Sequence, residues 1–231
     1  KERLIELLEE QKQAIIQQAV TRGLDPDVEM RDSGVDTLGD LPAHWNLSRI
    51  KNEFWNLDHK RIPLSSTERG KMESQKYDYY GASGIIDQVD DYLFDDDLIL
   101  IAEDGANLVA RNLPLVIIAK GRFWVNNHAH ILKPKQGSLE YWAHLLESLS
   151  YKPWIKGAAQ PKLSQDRLMS VPVPKPPASE QDEIVSHIRE RTEPLQKVIH
   201  RTQSEITLIR EYRTRLIADV VTGKLDVREA E

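Results

Sequence analysis

The chain has 231 residues, 40% apolar and 29% charged, with a formal net charge of −6 and no cysteine. These values describe one or two soluble folded domains, exclude a disulfide framework or thiolate metal site, and argue against indiscriminate nucleic-acid binding. No apolar run approaches the roughly 18 residues of a membrane span and no signal peptide is visible, so a cytoplasmic protein is expected.

Residues 1–22 read as a helix. Leu4, Ile5, Leu7, Leu8, Ile15, Ile16 and Ala19 fall at helical spacing among Glu, Gln, Lys and Ala, and Gly23 is a natural stop. Residues 24–45 hold Asp25-Pro26, Asp32-Ser33-Gly34 and Leu41-Pro42 and read as a polar, turn-rich linker. Residues 46–175 alternate short apolar runs with turns. Leu98–Ala102 and Leu115–Ala119 suit buried strands, and Phe123–Val125 and Ala129–Leu132 suit strands meeting at Asn126-Asn127. Residues 138–149 suit a helix with Leu139, Trp142, Leu145, Leu146 and Leu149 on one side. This is an α+β domain with its own core.

Val171-Pro172-Val173-Pro174-Lys175-Pro176-Pro177 reads as a stiff extended spacer, and Ser179 with Asp182 as a capping box. A long helix over 176–224 follows. Val185, Ile188, Leu195, Ile199, Thr202, Ile206, Ile209, Leu216 and Val220 recur at heptad spacing, with a kink or local break expected at Pro194. The segment from Ile16 to Asp25 echoes that from Ile217 to Asp226. Upstream of it, Ile5, Leu8 and Ile15 match Ile206, Ile209 and Leu216. One helix type is used twice around a globular domain. The seam expects a partner helix, either 1–22 or its equivalent in another copy; the plainer alternative is an amphipathic helix lying on the domain.

Charge is segregated along the chain. Residues 24–40 and 78–104 are acidic, the latter with Asp90, Asp91, Asp95, Asp96 and Asp97. Residues 111–135 carry Arg111, Lys120, Arg122, Lys133 and Lys135 without an acid, and 152–175 are also basic. Such segregation suits one face meeting a polyanion, although a solvated mixed-charge surface has the same composition.

Six stretches stand in a telling order: DSGVDTLGDLPAHW at 32–45, GASGIID at 81–87, AEDGANL at 102–108, FWVNNHAHILKP at 123–134, GAAQPKLS at 157–164 and VPVPKPPASEQDEI at 171–184. Together with the helix repeat, they make the chain resemble the specificity subunit of type I restriction–modification enzymes. The resemblance covers most of the chain. It implies an α+β target-recognition domain with a mixed β-sheet, flanked by long helices that pair as an antiparallel coiled coil. Residues 1–23 would be a truncated spacer helix, 24–45 a linker, 46–175 the recognition domain, 176–224 the long spacer helix and 225–231 a tail. It further implies double-stranded DNA, read one half-site per domain, and methyltransferase (modification) subunits docked on the helices. A motor-nuclease (restriction) subunit would join indirectly. S-adenosylmethionine, ATP and Mg²⁺ would sit on those partners, with no cofactor in this chain. The family pattern has two recognition domains and this chain has one, so it is either the second half of a full subunit or a half-subunit that dimerises through its helices.

DNA reading needs cations for phosphates and amides or aromatics for bases. One candidate cluster is Lys60, Arg61, Arg69, Lys71, Lys76, Tyr79 and Tyr80, although an ordinary surface loop with one of the tyrosines in the core fits as well. A second is Asn126 and Asn127, which can pair with adenine but also make a plain turn. A third is Lys156, Gln160 and Lys162, beside Gly157-Ala158-Ala159, where small residues allow close approach. His128 and His130 alternate on a strand, with no cysteine and no Glu at ligand spacing, so no metal is expected. Asp95, Asp96, Asp97, Glu103, Asp104 and Lys120 invite a Mg²⁺-nuclease reading, but no acid–x–Lys pair follows at close spacing, and acidic turns beside a buried strand are the preferred account. No nucleotide-binding or methylation motif is present. The expectation is a non-catalytic DNA-recognition subunit; the alternatives are a protein-interaction scaffold and a metal-dependent nuclease.

Overall fold

The computed structural model describes residues 1–225. The chain divides into two compact units: Lys1–Ile16 with the chain from Ser186 onward, and Gln17–Val185. In chain order the elements are α1 (Glu2–Arg22), β1 (Met30–Asp32), β2 (Asp40–Pro42), β3 (Asn46–Arg49), α2 (Ile50–Glu53), β4 (Phe54–Asn56), α3 (Ser66–Arg69), β5 (Tyr77–Gly81), β6 (Gly84–Val89) and β7 (Phe94–Asp95). There follow β8 (Leu98–Ala102), α4 (Asn107–Ala110), β9 (Val116–Ala119), β10 (Arg122–Val125), β11 (Ala129–Pro134), α5 (Leu139–Ser148), α6 (Gln165–Ser170), β12 (Pro172–Lys175) and α7 (Ala178–Val221). Among these residues no helix is long and apolar enough to cross a membrane. Apart from Leu225, the tail at 225–231 lies outside the described residues.

The unit over 17–185 is built on two four-stranded sheets. One has the order β4-β11-β8-β9 and is antiparallel throughout; the other has the order β6-β5-β10-β7, with β10 parallel to β5. This is the expected α+β class with a mixed sheet. Every residue of β8 is buried, which explains its unbroken Leu-Ile-Leu-Ile run. Leu98 and Leu100 join Phe94, Phe123, Val125 and Ile131 in one core cluster. Ile99 and Ile101, at the opposite parity, face the other side, where α5 packs across β8 and β9. Trp142 of α5 meets Phe54 edge-on, with ring centroids 5.1 Å apart.

Several expectations change in three dimensions. The strands meeting at Asn126-Asn127 belong to different sheets, β10 to one and β11 to the other, so the turn carries the chain between sheets. Residues 24–45 are not a free linker. They form the β1–β2 hairpin and bury Leu41 and Trp45, because local Asx turns (Asp25 to Asp27, Asp32 to Gly34) organise the polar stretch. The proline-rich spacer is a strand: β12 pairs antiparallel with β3. Ile50 N–H donates to the Val171 carbonyl at 3.0 Å. Odd-numbered residues therefore face β3, while Pro172 and Pro174 turn their missing donors away. Ser179 is inside the helix rather than capping it, since α7 starts at Ala178 and Gln181 N–H already donates to the Pro177 carbonyl. Helix α7 runs unbroken through Pro194.

In the helical unit, Glu2 pairs with Arg210 at 2.6 Å, Lys1 with Glu205, and Lys12 donates to Gln196 at 2.7 Å. Rising numbers on α1 meet falling numbers on α7, so the pair is antiparallel. Ile199 is fully buried, and Ile5, Leu8, Ile15, Leu195 and Ile206 are half-buried. Ile209 and Leu216, expected in the same seam, are exposed at 54% and 38%. The reason is length: α7 has 44 residues and α1 has 21, and α1 begins opposite Arg210.

Candidate nucleic-acid interface

Four segments converge at the end of the antiparallel sheet where β11 begins and β8 finishes. They are the 3-10 turn Asp58–Lys60 with Arg61, the stretch after β8 at Glu103-Asp104, the turn 126–128, and the loop 156–163. Register explains the meeting. Ala129 lies opposite Ala102 and His130 opposite Ile101, so the residue after β8 stands beside the start of β11. Leu163 N–H donates to the Glu103 carbonyl at 2.8 Å, and Gly105 N–H to the Pro161 carbonyl at 3.1 Å, which adds the last loop.

A connected set of buried charges locks this junction. Asp58 Oδ2 is 2.6 Å from His130 Nδ1, and Asp58 Oδ1 accepts from Ile131 N–H at 2.8 Å. His130 Nε2 meets the Leu163 carbonyl at 2.7 Å. Two oxygen acceptors at the two ring nitrogens are both served only when both nitrogens carry hydrogen. Arg61 donates to Glu103 Oε2 at 2.6 Å and to the Ala129 carbonyl at 2.9 Å, and Glu103 Oε1 pairs with Lys162 Nζ at 2.9 Å. Burial pushes the Asp58 carboxyl up, but the hydrogen bond and charge of His130 and the Ile131 amide outweigh it and leave it below its ordinary value. Glu103 is similar: burial raises it, while Arg61, Lys162 and His130 bring it below. Its hydrogen bond in turn raises Lys162.

Asp58, Glu103 and His130 place ligand-type atoms within 4.8 Å of one another. They do not form an open metal site. The Arg61 guanidinium lies 2.6 Å from Glu103 and 3.6 Å from Asp58, so it already stands as the counter-cation and a metal would have to displace it. The acids suspected of nuclease chemistry are dispersed among other partners. Asp95 pairs with Arg122, Asp96 with Lys133, Asp97 accepts from Gly121 N–H, and Asp104 faces His128.

The three sequence candidates fare differently. Lys60, Asn127, Lys156, Gln160 and Lys162 are exposed or half-buried and lie in these converging segments. Lys156 and Lys162 exchange backbone hydrogen bonds at 2.9 and 2.7 Å. Gly157 makes that tight return possible: its φ is +88°, and a Cβ there would lie 2.4 Å from the Gln160 carbonyl oxygen. Beside Lys162 and Gln160, a cavity of about 410 Å³ is lined also by Asp104 and His128. Arg61 is not a free phosphate ligand, because Glu103, Asp58 and Ala129 use its guanidinium. Asn126 is buried, its Oδ1 accepting from His128 N–H at 2.7 Å, so it shapes the turn.

The other part of the first cluster stands elsewhere, on the mixed sheet. Arg69 donates to Asp87 and to the Leu64 carbonyl, both at 2.6 Å, and lies over the Tyr79 ring. Tyr79 is buried, its hydroxyl accepting from Leu64 N–H at 2.9 Å, and Tyr80 packs edge-on against Phe123 in the core. These three side chains are structural: Tyr79 and Tyr80 point to opposite faces of β5, and Arg69 with the Leu64 segment covers the first while the core around Phe123 covers the second. Lys71 and Lys76 remain exposed on a loop whose amides at Glu73, Ser74 and Gln75 are held by Asp90. Nothing in the sequence singles out Asp58 or ties His130 to Glu103. Their numbers are far apart, so no spacing pattern joins them.

Residues 42–208 match the family model described as the type I restriction modification DNA specificity domain. A Haemophilus influenzae protein provisionally named as a type I restriction enzyme specificity subunit is 34% identical over 131 residues, covering 56% of this chain and 32% of that protein. The type I restriction–modification S subunit of M. genitalium superposes with a TM-score of 0.58 at 18% identity, over 90% of this chain and 53% of that one. The HsdS subunit of Thermoanaerobacter tengcongensis gives 0.51 at 20% identity, over 95% and 52%. The likeness to the solved chains is one of fold. This chain spans about a third of the length of the curated relative and about half of each solved chain.

Proposed function

Because the chain belongs to the type I restriction–modification DNA specificity family, we propose that it supplies DNA sequence recognition to a methyltransferase and restriction assembly and is itself non-catalytic. The globular unit reads one half of a bipartite site. The antiparallel helices set the distance to a second reader and dock the modification subunits. S-adenosylmethionine, ATP and Mg²⁺ belong to those partners, and the motor-nuclease subunit joins through them in the cytoplasm.

The observation that carries the reading is the convergence of Lys60, Asn127, Lys156, Gln160 and Lys162 on one junction of loops, from segments far apart in sequence. Lysines neutralise phosphates, and exposed amides hydrogen-bond to base edges. Rigid sheet strands underneath hold the loops, which is how binding residues on loops are usually positioned.

The test is selection from a random duplex library by this protein in complex with its modification subunit. Enrichment of one short half-site supports the recognition role, and two mirrored copies at fixed spacing add dimerisation through the helices. Recovery of random sequence from a verified complex makes the chain a protein-interaction scaffold instead.

A further inference from the structure

The loop 156–163 carries three of the five candidates at the junction, yet it has no helix or sheet strand of its own. It reaches the sheet through a few bonds, and the most deeply buried is from His130 to the Leu163 carbonyl at 2.7 Å. His130 is fully buried in β11 and is gripped on its other nitrogen by Asp58 at 2.6 Å. Asp58 begins the turn that bears Lys60, and its neighbour Arg61 reaches Glu103 and the Ala129 carbonyl. Glu103 returns to the loop at Lys162. A circuit of charge-assisted hydrogen bonds therefore joins the Lys60 turn, Glu103 and the 156–163 loop, and its central member touches none of the exposed surface.

Such a circuit is costly to bury unless every member is satisfied, and when satisfied it permits a single arrangement. Held in one arrangement, the loops present their cations and amides at fixed separations. Sequence discrimination needs that, whereas attraction to phosphate does not. We infer that His130 is a specificity-determining positioning residue: through Leu163 and Asp58 it sets the relative placement of the 156–163 loop and the Lys60 turn on DNA. The inference rests on the DNA-recognition reading and goes beyond it by assigning discrimination to a buried side chain that contacts no nucleotide.

The two hydrogen bonds can be separated by shape. Glutamine places an amide nitrogen near the position of Nε2, and asparagine places one near Nδ1. H130N keeps the donor toward Asp58 and loses the one to Leu163; H130Q does the reverse. Two readouts are made on the full complex: the ratio of affinities for the selected duplex and a scrambled one at fixed salt, and hydrogen exchange of the 156–163 amides. In H130N the ratio is expected to fall about tenfold, the loss of roughly one good hydrogen bond of discrimination. Scrambled-duplex affinity and its salt slope hold, and the loop amides exchange faster. H130Q should restore the loop exchange and only part of the ratio, because it regains the bond to Leu163 and loses the one to Asp58. Equal losses on both duplexes, an unchanged ratio, or unchanged exchange in H130N overturns the proposal. If H130N does not fold, D58N decides by the affinity ratio, since it weakens the His130 bond that holds the Lys60 turn, with little change of shape; an unchanged ratio overturns the proposal. A wild-type complex that prefers no duplex overturns the recognition reading itself; the exchange data then still report whether His130 holds the loop.

Discussion

The indole nitrogen of Trp45 donates to Glu180 Oε1 at 2.9 Å, which binds the end of the β1–β2 segment to the first turn of α7. Trp45 is 1% exposed, and the same carboxylate meets His44 at 2.9 Å through its other oxygen. A glutamate in a first helical turn is also favoured by the helix dipole. W45F should cost about 1–3 kcal/mol, since it leaves Glu180 Oε1 half-buried without this donor. W45A should cost about 3–5 kcal/mol. Equilibrium denaturation of the two variants measures this, and a W45F protein as stable as wild type would mean that the bond to Glu180 contributes nothing.

The helix pair predicts a sharp division along α7. Ile199 is fully buried and Ile206 half-buried, while Leu216 lies beyond the reach of α1. I199A should destabilise the pair by about 2–5 kcal/mol, and I199D or I206D should abolish it with near-UV dichroism of the globular unit retained. L216D should leave the isolated chain within about 0.5 kcal/mol of wild type. If Leu216 meets a partner helix, the same variant fails to assemble with the modification subunit in light scattering.

Salt dependence separates phosphate-binding cations from structural ones. K60Q and K156Q should each lower the slope of log affinity against log salt by about 0.9, the value for one phosphate left unneutralised. R69Q should not change the slope, because its guanidinium is committed to Asp87 and Leu64; it should lower the melting temperature instead. A slope that falls with R69Q and not with the lysine variants would move the interface to the α3–β5 side.

Acid should loosen the loop junction. Asp58 and Glu103 both titrate below their ordinary values in the folded protein. Unfolding therefore takes up protons that the folded carboxylates resist. The stabilisation is complete above the unfolded values of about 4 and is lost as pH falls through the folded ones. Wild type is expected to lose stability steeply below about pH 4, and D58N, already destabilised at neutral pH, to lose less over the same interval. Urea denaturation as a function of pH gives both curves; parallel curves would remove Asp58 from the acid response.

Legibility from sequence differs by element. Helix α1 with its stop at Gly23, the buried run of β8, α5 behind Ser138 and most of α7 follow from local periodicity and termini. Thr21 and Thr222, matched in the sequence repeat, each donate to the carbonyl four residues earlier, Gln17 at 2.6 Å and Ala218 at 2.7 Å. Both helices are followed by a glycine of positive φ. The proline-rich stretch misleads because prolines signal a spacer unless a partner strand is known, and β3 lies far back in the chain. Of the first candidate cluster, Tyr79 and Tyr80 are buried and Arg61 and Arg69 are half-buried in ion pairs. A basic–aromatic run has the same composition whether its side chains face a groove or a core.

The sequence by itself determined the helices α1, α5 and α7, the buried strand β8 and, through six short stretches in order, the family. Each of those is a property of neighbours in the chain, where periods of 2, 3.5 and 3.6 can be read directly. Only the tertiary structure decided that Arg61 belongs to Glu103, that His130 joins Asp58 to Leu163, and that Ile209 and Leu216 outrun α1. These depend on the register of β11 against β8 and on where one helix starts along another. Such registers are set by the sum of many distant contacts, and no local spacing records them.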